Sequence, residues 1–250
     1  MEQGVAEQAP SAALARQARI AGVCYLLVIA GGLFAEVIVR ESLVAPGDAA
    51  ATARAIAADE ALWRWGVAVH LLYLVPGLVM NVLVCGLFRD VAPTLARLAL
   101  VLSVASVAVE ALSLLHLYVP LVMLEEDGAL AALGAEQQQA LSYLAVVLFP
   151  TGFGFALLFF AGFCVLVGVL ILRSRLVPRL IGLLMVLAGA CYAVNTLVLV
   201  LSPALSDRLN PAILLPSFVG ELSLALWLLV KGVKPLAEAR LPRPAGSPAS

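Results

Sequence analysis

Seven side chains in this sequence could do chemistry: Glu36, Arg40, His70, Glu110, His116, Asn195 and Glu221. Each sits inside or at the edge of a long apolar run. Carboxylates and imidazoles can act as acid and base once burial moves them toward neutral pH, and they can ligate metals. In a bilayer an ionised side chain at mid-depth costs roughly 2.5–3.5 kcal/mol by insertion scales, so something inside the protein must pair or solvate it. Glu221 is the sharpest case. It lies within residues 213–234, ILLPSFVGELSLALWLLVKGVK, a run long enough for the roughly 20 residues that a crossing needs, closed by Lys231 and Lys234.

The elements that must position these groups follow from composition. The chain has 250 residues, 63% hydrophobic and 12% charged, with mean hydropathy +1.07. A soluble domain carries about 25% charged and 45–50% apolar residues. One polytopic, all-α membrane helix bundle is the economical reading. Net charge is −1, which gives no basic character for binding nucleic acid. Cys24, Cys85, Cys164 and Cys191 all fall in apolar runs without a CxxC, so neither a disulfide framework nor a zinc knuckle is expected.

Hydropathy predicts six crossings, at about residues 20–39, 62–88, 95–124, 135–172, 180–201 and 213–233. Residues 1–18 read as a polar N-terminal segment, 19–234 as the membrane domain and 235–250 as a disordered tail. The fourth run is too long for an ordinary crossing, and Pro150 predicts a kink or break there. Pro76-Gly77 predicts a kink in the second. Asp48 is a good N-cap for a short interfacial helix ending near Glu60. Trp63 and Trp65 read as an interfacial belt. Glu125, Glu126 and Asp127 open an acidic loop. Phe153, Phe155, Phe159, Phe160 and Phe163 read as lipid-facing and core packing rather than a cofactor box.

Of the 15 basic residues, only Arg40, Arg54, Arg64 and Arg208 flank one side of these crossings; the rest flank the other. The excess marks the cytoplasmic face, so both termini are expected there, in a cell (inner) membrane.

A rise of 1.5 Å per residue then sets depths below the outer face. Glu221 and His70 fall about 12 Å down, Asn195 about 10 Å, Glu36 and His116 about 6 Å and Glu110 about 15 Å. The outer half thus gathers polar groups from five helices, while Asn81 stands almost alone in the cytoplasmic half. Glu36 and Arg40, four apart, share a helix face and can pair. Ser103, Ser106, Glu110 and Ser113 make one polar stripe, with His116 at its edge.

Three functions fit such a layer. It can be a structural network that fixes helix packing. It can line an outward-opening pocket for a small amphiphile or lipid-like molecule, lidded by residues 48–60. Or it can catalyse, as an intramembrane lipid- or isoprenoid-modifying enzyme using Glu and His. No HExxH, GxSxG or Walker loop is present. The reading carried forward is binding or passage of an amphiphile, with membrane lipids as partners and no metal or cofactor expected; the enzyme and the structural network stay open as alternatives.

Several stretches also carry a resemblance: Arg19-Ile20-Ala21-Gly22 leading to Glu36 and Arg40, residues 43–51 (LVAPGDAAA), and above all residues 218–233 (FVGELSLALWLLVKGV). Over roughly residues 19–233 the chain resembles the domain-of-unknown-function 4386 family of bacterial multi-pass membrane proteins. The resemblance implies a membrane protein without assigned activity. The chain departs from the family's pattern, in which members often carry an acidic residue near Gly154, a histidine near Phe163 and an acidic residue where this chain has Asn195. Glu36, Arg40 and Glu221 are the positions that the resemblance carries over.

Overall fold

A computed structural model describes residues 2–124, 133–174 and 176–233; the expected acidic loop at 125–127 and the tail at 235–250 lie outside them. The described residues form helices and no strand. Helix α1 spans Glu2–Leu33 and runs on through a π-helical segment, Phe34–Arg40, and a last turn, Glu41–Leu43. Then come α2 (Ala49–Ala58), α3 (Glu60–Leu87), α4 (Pro93–Met123), α5 (Ala135–Ser174), α6 (Arg179–Leu201) and α7 (Pro203–Leu209). A 3-10 turn, Ala212–Leu214, leads into α8, Leu215–Val230.

Six stretches are long and apolar enough to cross a membrane: Ala12–Leu43, Glu60–Leu87, Pro93–Met123, Ala135–Ser174, Arg179–Leu201 and Ala212–Val230. The protein is an all-α membrane helix bundle. Each crossing packs on its chain neighbours, and α8 returns to α1, so α1, α3, α4, α5, α6 and α8 close a ring. Arg89, Arg97, Arg173, Arg179 and Lys231 fall at or near helix ends on one side of it, the basic end, where Arg19 lies within the continuous α1.

Local chemistry starts and stops these helices. The Asp48 carboxylate accepts the Ala51 N–H at 2.8 Å, and Asp59 does the same for Leu62 at 3.1 Å. Pro93 occupies the first turn of α4, where its missing N–H loses nothing. The polar N-terminal segment is helical from Glu2 onward and enters the first span without interruption. α5 does not break at Pro150. Packing between α4 and α6 holds it, as neighbouring helices do for proline in membranes. At 40 residues α5 is about 60 Å long, twice the hydrocarbon thickness. Its early turns lie beside the end of α4, and α2 rests on them. There the Tyr143 hydroxyl accepts the Gly47 N–H at 2.5 Å.

Two apolar cores fill the ring. The one toward the basic end holds Tyr25, Met80, Phe88, Phe163, Met185 and Leu224, all essentially inaccessible. Backbones close tightly here: a Cβ added at Gly22 of α1 would sit 2.6 Å from the Leu229 nitrogen of α8. One added at Gly168 of α5 would sit 2.6 Å from the Gly182 oxygen of α6. The second core, at the opposite end, joins Val39, Ile56, Trp63, Leu117 and Phe149. Trp63 is therefore not part of an interfacial belt. It is 1% exposed beneath α2, and its indole N–H donates to the Leu117 carbonyl at 2.9 Å. Trp65, 63% exposed, faces outward.

Candidate functional site

Between the two cores the ring encloses a cavity of about 290 Å³, lined from all six crossings. Most of its wall is apolar, including Val28, Leu74, Met80 and Leu157. Phe153 and Phe160 of the α5 aromatic cluster also face it, whereas Phe155 and Phe159 are exposed on the outside and Phe163 is buried in the core. Of all the lining residues, Leu33 of α1 and Phe218 of α8 are the exposed ones, so they mark the mouth. Nothing stands within 4 Å of a Cβ built on Gly32, next to that mouth.

Two carboxylates meet this wall from different helices: Glu110 of α4 and Glu221 of α8. Each is held by a tyrosine. The Tyr73 hydroxyl donates to Glu110 Oε1 at 2.5 Å, and His70 Nε2 lies 3.2 Å from the same oxygen. His70 and Tyr73 are three apart on α3, share one face and stack with ring centroids 4.7 Å apart. The His70 ring also meets the edge of Phe149 at 5.4 Å. His70 itself does not reach the cavity; it backs Glu110 from behind.

Glu221, 8% exposed, accepts the Tyr192 hydroxyl from α6. The fully buried Tyr25 hydroxyl of α1 lies beside Glu221 as a second hydroxyl, near enough to bear on the carboxylate though outside strict hydrogen-bond geometry. Among the described residues no basic side chain pairs with Glu221. Asn81, 1% exposed, also lines the cavity, and its carbonyl Oδ1 has no partner. It sits about 9 Å from the basic end of α3, so the cavity reaches deep toward that end.

The other sequence candidates stand apart. Glu36 and Arg40 pair with each other on the π-helical segment, Arg40 Nε donating to Glu36 Oε2 at 2.7 Å, just past the mouth residue Leu33. His116 Nδ1 is 3.0 Å from the Ser113 carbonyl of its own helix and does not line the cavity. Asn195 is buried on α6 and does not line it either. The serine stripe faces protein: Ser106 donates to the Ala156 carbonyl of α5 at 2.8 Å, while Ser103 and Ser113 donate back along α4. Among the described residues no three His, Cys, Asp or Glu side chains gather as a metal site.

Sequence reasoning did not single out Tyr73 and Tyr192 as site residues. Tyr73 could have been found, because it falls one turn from His70 on the same face. Tyr192 had no such signal, since its partner lies on another helix. Chemically, the cavity combines an oily body with two held carboxylates and an unpaired carbonyl, a setting for recognising a polar head on an apolar molecule.

No curated protein and no solved structure matches the chain. Residues 20–232 match the family model described as a domain of unknown function, DUF4386, and with most of its length so matched the chain belongs to that family.

Proposed function

We propose that this protein binds, or passes, a small amphiphilic or lipid-like molecule in the cavity between its crossings, as a multi-pass protein of the cell (inner) membrane. The observation that carries this reading is the meeting of Glu110 and Glu221 on one mostly apolar wall. The mouth between Leu33 and Phe218 belongs to the half remote from the basic end, which the excess of Arg and Lys makes the outer leaflet. The ligand enters sideways from that leaflet. Its polar head meets the carboxylates and its body fills the apolar wall.

The runner-up is an intramembrane enzyme acting on a lipid or isoprenoid. Glu110, backed by His70 and facing the cavity, is the side chain that would serve as its base.

The test is extraction of the full chain from native membrane into polymer discs, followed by mass spectrometry of the co-purified small molecules. Gly32→Phe, placed where an added side chain meets open space, serves as the blocked control. An amphiphile near one per chain, at least tenfold depleted in the variant, is expected. The same complement of molecules in both would overturn the reading.

A further inference from the structure

We infer that the molecule taken by this cavity is a lipophilic monocation, an amine protonated to ammonium on a compact apolar body. The inference rests on the binding function proposed above and names its ligand class.

The wall's hydrogen-bonding capacity leans toward acceptors. Its hydroxyl donors are engaged: Tyr73 on Glu110, Tyr192 on Glu221 and Ser106 on the Ala156 carbonyl. The side-chain amide of Asn81 is the donor left on the wall, against the lone pairs of two carboxylates and of Asn81 Oδ1. A head that donates is therefore favoured. A carboxylate, phosphate or sulfate head would meet two side chains of like charge, Glu110 and Glu221.

The charge is one-sided too. No Lys or Arg lines the cavity. Glu110 has His70 at its back, whereas Glu221 faces no basic side chain among the described residues. A buried carboxylate without a counter-charge is costly, so one positive charge brought by a ligand completes this site. Tyr73, Phe153, Phe160, Tyr192 and Phe218 add aromatic rings to the same wall, and ring faces attract ammonium groups in desolvated settings. The volume, about 290 Å³, stands at the small end of ligand pockets, which run from about 300 to 1,000 Å³. That suits a compact amine.

The experiment compares three probes that share one rigid body: 1-adamantylamine, 1-adamantanol and 1-adamantanecarboxylate. Each is titrated calorimetrically at neutral pH against the full chain in lipid discs, with Gly32→Phe as the blocked control. The amine is expected to bind the wild type at least tenfold tighter than the alcohol, and the carboxylate not at all. Glu221→Gln should bring amine and alcohol to equal affinity. Because the ranking is read on the wild type, it stands even if that variant fails to fold. Should alcohol or carboxylate bind as well as the amine, and be lost in Gly32→Phe, the cation is refuted while the cavity reading survives. Absence of amine binding to the wild type refutes the inference outright, and the native-membrane extraction then judges the cavity reading separately.

Discussion

Gly22 and Gly32 lie on the same continuous helix, and a methyl group added to each meets opposite surroundings. At Gly22 it would press on the backbone of α8; at Gly32 it would meet nothing within 4 Å. Gly168 repeats the Gly22 contact, its added methyl meeting the Gly182 oxygen of α6. Toward the basic end the ring is shut by backbone-to-backbone approach and filled by large buried side chains. Past the middle, α1 loosens into a π-helical segment, the cavity opens, and the polar groups appear. Rigidity and recognition are thus allotted to different lengths of the same helices. A tight base can hold Glu110 and Glu221 at fixed separation while the other end admits a ligand.

The most direct way to break this comparison is a pair of alanines. Gly22→Ala should destabilise by about 1–3 kcal/mol, because backbone atoms cannot yield as a side chain can. Gly32→Ala should stay within about 0.5 kcal/mol of the parent. Unfolding of both in a denaturing-detergent titration decides it; equal midpoints would show that the two halves are packed alike. Next in size is Trp63→Phe. It removes the donor to the Leu117 carbonyl and leaves that acceptor buried, which should cost about 1–3 kcal/mol. A melting curve in lipid discs measures the loss, and faster proteolysis of the 44–60 stretch should accompany it if Trp63 anchors α2. The smallest effect belongs to Glu36→Gln. Its pair with Arg40 is 42% exposed on the glutamate side, so under about 1 kcal/mol is expected in the same melting assay. A loss as large as that at Gly22 would mean that the π-helical segment, too, is a structural clamp.

The crossings were legible because membranes demand long uninterrupted apolar runs, and the turns between them carry proline and charge. Depth was partly legible, through the fixed rise of a helix. Azimuth was not. His116 and Glu110 are six residues apart on α4, yet one bonds to its own helix backbone and the other meets the cavity. Which face turns inward depends on where the ring closes, and closure of α8 onto α1 is a contact between the two ends of the domain. Trp63 was misplaced for a related reason. Its residue type favours the interface, but α2, folded over it, makes that site interior. Tyr73 and Tyr192 were passed over because a tyrosine in an apolar run looks the same whether its hydroxyl meets lipid headgroups or a carboxylate.

The π-helical segment at Phe34–Arg40 has an evolutionary consequence. Its turns hold more chain than an ordinary coil does, since each hydrogen bond reaches five residues back instead of four. Losing one residue there would tighten the coil to an ordinary turn, so the change is absorbed locally and the chain beyond keeps its facing, whereas the same loss in a regular stretch would swing everything beyond by about 100°. It is the point on the first crossing where a one-residue loss can be taken up with Gly22 still anchored and the turn after Arg40 still facing as before.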